Sequence, residues 1–306
     1  MSRASKRAAA ALCAIGASVV WVIVETIGGG LLRQHPPMQV VWLRYAAHLA
    51  ILVPASMLLW GPRVFATRRP VLQLFRGALM FGMPVTFVWA SRSLGAGTTW
   101  GVFWALPLLV LLAARPLLGE RAGRAQWLAV VAGSSAALVI FAPQLTSGTA
   151  TLAALMSSGT FAGYILVSRK LTDESLPASV FYTALGSMTL VSALAIRAWT
   201  PVAWNELGAI AALGAFSIVF LALLDRALEL AEAVFVAPLL YAVLLWETLL
   251  LVRLGIKTTG PTELLGMGLA IAACVAVVIA RRGADERRTV GATSDAAVTA
   301  AHGGVS

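Results

Sequence analysis

Ten apolar runs, each close to the length of a bilayer core, limit what this chain can fold into before any motif is considered. They fall at 8–30, 39–59, 72–93, 99–118, 125–142, 150–168, 178–198, 206–227, 232–252 and 262–280. A helix needs about 20 apolar residues to cross about 30 Å of hydrocarbon. An open strand in that medium would leave backbone groups unpaired, so each run is expected to be a helix. Composition agrees: 59% of the 306 residues are hydrophobic and 12% are charged, about half the usual charge of a soluble domain. The expected fold is an all-α integral membrane protein with ten transmembrane helices.

The breaks between runs carry the basic residues. With the N-terminus inside, the Lys and Arg of the breaks and of the run ends, Arg76 counted among the cytoplasmic ones, divide seventeen to five in favour of the cytoplasm. By the positive-inside rule both termini are then cytoplasmic, in a multi-pass protein of the plasma membrane. The net charge of +10 is spread along these loops and not gathered on one nucleic-acid-binding face. The opening "MSRASKRAAAALCAIGASVVW" also has the basic start and apolar centre of a signal peptide. It is read as the first span, because cleavage would place the later loops on the wrong sides. Residues 283–306, rich in Ala, Gly, Thr and Ser, are expected to form a disordered cytoplasmic tail.

One segment is written twice. "WALPLLVLLAARPLLGER", from Trp104, is echoed by "FVAPLLYAVLLWETLLLVR", from Phe235, with Pro107 and Pro238 separated by 131 residues. Gly77-Ala78 and Gly208-Ala209 recur at the same offset, and Gly133 and Gly266 correspond within two residues. Two five-helix units follow, 1–143 and 144–282. Five is odd, so the second unit enters the membrane in the opposite sense. Such inverted repeats characterise secondary transporters, with the substrate near the midplane between the halves. Each proline removes a backbone hydrogen bond inside its span, so Pro107 and Pro238 are expected to act in gating.

The stretch 39–143 resembles the EamA family of the drug/metabolite transporter superfamily. The resemblance is carried by "QVVWLRYAAHLAILVP", "FRGALMFGMPVTFVWASRSL" and "LPLLVLLAARPLLGERAGRAQWLAVVAGSSAALVI". Pro107, the Leu118-Gly119-Glu120-Arg121 run, Trp127 and Gly133 fall where the family pattern expects them. The second half matches through "LELAEAVFVAPLLYAVLLWE", but has "LLLVRLG" where the motif glutamate would stand. The resemblance implies a carrier of small organic metabolites working by alternating access. Amino acids, nucleotide-like compounds and vitamins are the classes it brings, and the span-two arginine pattern looks most like S-adenosylmethionine and riboflavin carriers.

Charges inside a span are costly and default to functional candidates. Glu25 near the end of span one and Arg44 near the start of span two lie at similar depth on an antiparallel hairpin. They are expected to meet at salt-bridge distance, directly or through one water. His48 follows Arg44 by one helical turn. Trp21 shares a helical face with Ser18, Glu25 and Gly28. Thr86 and Trp89 in span three, Trp104 in span four, Tyr164 in span six and Tyr241 after Pro238 complete the expected substrate-binding set. Trp104 and Tyr241 are expected to flank one central cavity. Glu247 ranks below Glu25, because it falls nearly opposite the Pro238 face.

The sequence carries no H-E-x-x-H, no nucleotide-binding loop and no nucleophile elbow. Cys13 and Cys274 form neither a disulfide framework nor metal-ligand spacing. The expectation is therefore no enzyme, cofactor, metal or nucleic acid, with transport driven by a proton through Glu25 or His48, or by exchange. A membrane enzyme acting on a lipid-linked substrate is the alternative. It would need acids or histidines clustered at one membrane face, which the sequence lacks. Oligomeric state is left open.

Overall fold

Helices form where the apolar runs lie, and local chemistry sets their ends. The computed structural model describes residues 2–141, 148–255, 260–262 and 264–279. In chain order they form α1 (Arg3–Leu31), α2 (Pro37–Trp60), α3 (Pro70–Leu94), α4 (Ala96–Phe103), α5 (Leu106–Leu118), α6 (Arg124–Phe141), α7 (Gly148–Lys170), α8 (Leu176–Ala195), α9 (Leu207–Leu230), α10 (Ala233–Leu239), α11 (Ala242–Arg253) and α12 (Leu264–Ile279). No strand occurs among the described residues. Prolines sit in the first turns of α2, α3 and α8, where no N–H is needed. The Ser175 hydroxyl caps α8 by accepting from the Ala178 N–H at 3.3 Å. Gly119, at φ 71°, closes α5 in the left-handed conformation, its N–H donating to the Arg115 carbonyl at 3.0 Å.

Among the described residues nine segments are long and apolar enough to cross a membrane, with α4–α5 and α10–α11 each counting once. The tenth expected span appears as α12, which is apolar but shorter. The expected tail 283–306 and the 143/144 repeat boundary lie outside the described residues. Large apolar side chains cover the outside of the bundle, among them Leu58, Leu128 and Val71. That is the surface a lipid solvent requires.

The two halves interleave. α3 packs most extensively on α7 and then α8, while α1 packs on α9, and α2 lies against both α8 and α9. Missing side chains permit the closest approaches. A Cβ on Gly77 would come within 3.0 Å of the Gly186 Cα, and one on Gly214 within 2.7 Å of the His48 nitrogen. Gly208, which shares the 131-residue offset with Gly77, has nothing within 4 Å of its Cβ position, so that pair is not used alike.

Hydrogen bonds identify two ends of the bundle. At the basic end Arg69 donates to the Lys170 carbonyl at 2.8 Å and pairs with Asp173 at 2.9 Å, tying the α2–α3 and α7–α8 loops. At the far end His35 lies 3.0 Å from a Glu206 carboxylate oxygen and 2.7 Å from the Thr200 hydroxyl, while Gln39 brackets the Thr200 backbone. This clasp fixes the start of α2 to the α8–α9 loop.

Both repeated segments are broken helices. α4 stops at Phe103 and α5 restarts at Leu106 with Pro107 in its first turn; α10 carries Pro238 and stops at Leu239, and α11 restarts at Ala242. Pro107 cannot donate to the Phe103 carbonyl, which instead accepts from the Ser158 hydroxyl of α7 at 2.8 Å. The next carbonyl, Trp104, accepts from the Tyr241 hydroxyl at 3.2 Å. Tyr241 also shares a 2.9 Å hydrogen bond with Ser134. The ring of Tyr241 fills the space where a Cβ on Gly133 would stand, and Ile140 does the same at Gly266.

Gly133→Ala should therefore destabilise the bundle by about 1–3 kcal/mol, the range of overpacking substitutions. Gly97→Ala, which meets nothing within 4 Å, is the control. Thermal unfolding in detergent would separate the two, and equal melting temperatures would contradict the packing.

Candidate functional site

Between α1, α2, α3, α4, α7 and α9 lies a cavity of about 510 Å³, within the usual size range of small-molecule sites. Its rim carries Leu32, Pro37, Arg92 and Ala96, residues of the far end, and its depth is marked by Met80, Phe161 and Phe220. Trp21 is the centre of the floor. Its ring lies 5.2 Å from Phe161 and 5.1 Å from Phe220, both edge-on, and 6.2 Å from Trp104. Phe87 and Trp100, 4.4 Å apart, continue the aromatic wall toward the rim.

Two opposite charges face this space. Glu25 lines the cavity from α1, one turn beyond Trp21, and is exposed to it. Arg44 lines it from α2, its Nε donating to the Ser217 hydroxyl of α9 at 2.7 Å, with Cζ 5.6 Å from the Tyr45 ring. Ser217 is itself held by the Leu213 carbonyl at 2.6 Å. The backbone of α9 thus orients Arg44 through one hydroxyl. Among the described residues the two charges make no ion pair with each other within 4.0 Å. The expected direct salt bridge is therefore not formed, although both side chains line the same cavity.

The other expected residues divide by position. Tyr164, Trp104 and Tyr241 are fully buried and do not line this cavity. Trp104 and Tyr241 stand behind Trp21 with rings 5.9 Å apart, at the joint of the two broken helices. His48 is buried a turn past Arg44, and neither ring nitrogen has a hydrogen-bond partner among the described residues. The Thr86 hydroxyl donates back to the Gly82 carbonyl at 2.8 Å, and Trp89 is 53% exposed on the outside of α3. Tyr45, Phe87, Arg92 and Phe220 line the cavity without having stood out in the sequence. Arg92 carried the one available signal, a basic residue at the end of an apolar run.

Residues 8–142 match the model of the EamA-like transporter family, so the resemblance read from the sequence is borne out there. Among curated proteins, an S-adenosylmethionine uptake transporter of Rickettsia prowazekii is 23% identical over 205 residues, covering 66% of this chain and 69% of that protein. A riboflavin transporter of Brucella anthropi is 25% identical over 225 residues, covering 71% of this chain and 79% of the relative. A solved crystal structure superposes with a TM-score of 0.76 at 22% identity, over 92% of this chain and 99% of the other. That likeness establishes the fold.

Because Trp21 touches the rings of both α7 and α9, Trp21→Ala should cost about 3–5 kcal/mol of stability, with Trp21→Phe costing less. Chemical or thermal unfolding of the purified protein measures this, and an unchanged midpoint for the alanine variant would contradict the floor as described.

Proposed function

We propose that this membrane transporter, EamA-like over residues 8–142, moves a small metabolite that combines a flat ring with both a positive and a negative group. The observation that carries the reading is the cavity itself: an aromatic floor with a carboxylate, Glu25, and a guanidinium, Arg44, that line the same space without pairing with each other. Aromatic rings reward a flat solute. A guanidinium suits a carboxylate or phosphate, and a lone carboxylate suits an ammonium or sulfonium. In this reading Trp21, Glu25 and Arg44 touch the solute, while Trp104, Tyr164, Tyr241 and His48 support the floor from behind. Thr86 and Trp89, which do not line the cavity, have no contact with the solute in this reading. Nothing in the chain is read as an enzyme, and the transporter names of its relatives agree.

The finer architecture belongs to the same proposal. Units 1–143 and 144–282 are two inverted five-helix repeats, both termini are cytoplasmic, and the protein sits in the plasma membrane. α12 is then the tenth span, and the cavity faces outward. Pro107 and Pro238 are hinges at which the two halves rock in alternating access, coupled to a proton or to exchange. The pair of broken helices, with Pro107 and Pro238 at one offset, supports a two-fold relation.

The names of the relatives make S-adenosylmethionine and riboflavin the first solutes to test. The former carries an amino-acid head beside its ring system; the latter has no such pair of charges. Proteoliposomes are expected to take up S-adenosylmethionine and to discriminate against riboflavin. Glu25→Gln and Arg44→Gln should each lower that uptake about tenfold or more, the loss of one charge-assisted contact. Riboflavin uptake indifferent to both substitutions would overturn the charge-pair reading.

A further inference from the structure

Below the cavity floor, toward the basic end, two arginines bridge α7 and α9, and each is held in an ion pair to which the proposed solute contacts give no role. Arg76 of α3 is 1% exposed. Its Nη1 donates to Asp225 Oδ2 of α9 at 3.2 Å and to the Ser168 hydroxyl of α7 at 3.3 Å. Its Nη2 donates to the Ser179 carbonyl of α8, and its Cζ lies 5.5 Å from the Tyr164 ring. One turn nearer the basic end, Arg169 of α7 donates from Nε to Glu120 at 2.8 Å and from Nη1 to the Leu228 carbonyl of α9 at 2.7 Å. The second Glu120 oxygen accepts from the Val234 N–H at 3.3 Å, in the first turn of α10. The motif glutamate after α5 therefore gathers the ends of α7, α9 and α10.

These contacts share a line with the cavity. Along α7 the residues Phe161, Tyr164 and Ser168 fall on one face, with Phe161 and Tyr164 stacked 5.7 Å apart. Along α9 Phe220 precedes Asp225 and Leu228. Phe161 and Phe220 line the cavity floor, and toward the basic end the same two helices carry Ser168, which Arg76 contacts, and Arg169 and Asp225, one partner of each ion pair. Apart from this crossing, the two helices pack on different partners, α7 on α3 and α9 on α1.

We infer that the α7–α9 crossing is the gate closing the cavity toward the basic end, with Arg76–Asp225 and Arg169–Glu120 as its lock. A buried ion pair adds little net stability over apolar packing, because desolvation offsets attraction; a switch or register role is its best-attested use. Here the inner pair is also incompletely satisfied. Arg76 Nε, Asp225 Oδ1 and the Tyr164 hydroxyl are buried with no hydrogen-bond partner among the described residues. Parting α7 from α9 lets water reach all three groups, which lowers the cost of opening. The closed state is specific but shallow, as a cycling carrier requires.

The gate goes beyond the assignment of the cavity's solute and needs no substrate to test. Met83 lines the cavity two turns above Arg76. Met83→Cys is made with Cys13 and Cys274 replaced by Ala, and labelled by a membrane-impermeant maleimide added to one side of sealed vesicles. Arg63→Cys, exposed at the basic end, reports which side is which. The parent is expected to react from the far side. Asp225→Asn should raise labelling from the basic side about tenfold or more and lower it from the far side, a population shift of that size. Arg169→Gln, at the partly exposed outer pair, should act in the same direction and decides the matter if Asp225→Asn does not fold. A lower melting temperature with unchanged sidedness in the folded variants would make both pairs static clasps and overturn the gate.

Discussion

Where a chain breaks its helices inside hydrocarbon, every released carbonyl must find a new donor, and this bundle is organised around two such breaks. The Phe103 carbonyl takes the Ser158 hydroxyl, and the Trp104 carbonyl takes that of Tyr241. Each donor comes from the other half of the chain. The break in α4–α5 can therefore form only against α7 and α10–α11, which fixes how the halves meet. Trp104 and Tyr241 then back Trp21, and Trp21 carries the aromatic floor. The cavity floor therefore rests on the joint where backbone polarity at Pro107 is satisfied.

Charges divide by depth on that frame. Glu25 and Arg44 face the cavity and remain available to a solute, Arg44 being aimed by Ser217. Arg76 and Asp225 lie beneath the floor, already committed to one another. Glu120 and Arg169 close the basic end, and the His35–Glu206 clasp closes part of the far end. An intramembrane charge costs at least about 2.5 kcal/mol at mid-depth.

Much of this was legible in the sequence. Span lengths gave the all-helical membrane class, since a run of about 20 apolar residues permits little else. The Pro107–Pro238 echo located both broken helices, because proline acts on its own backbone. Matched depth on the α1–α2 hairpin suggested a direct Glu25–Arg44 contact; both line one cavity, but no ion pair forms between them. What failed to show was partner choice across the halves. The helix-face spacing of Tyr164, Trp104 and Tyr241 reads the same whether a face meets water or another helix, and all three proved fully buried. Arg76 counted only as a basic residue of the cytoplasmic side, near the start of a run, although tertiary packing with Ser168, Ser179 and Asp225 takes it out of water. Glu120 carried a motif but no visible target, because Arg169 and Val234 lie far along the chain.

Water access to native side chains tests the central claim, that the solute path runs through the Trp21–Phe161–Phe220 cavity and not through the proline joint behind it. Hydroxyl-radical footprinting of the intact protein in bilayers, read by mass spectrometry, reports that access residue by residue. Rapid oxidation of Met83, Phe87 and Trp100, which line the cavity, is expected, with protection of the fully buried Trp104 and Tyr241. Oxidation of Trp104 and Tyr241 at the rate of Trp100, with Met83 protected, would contradict it.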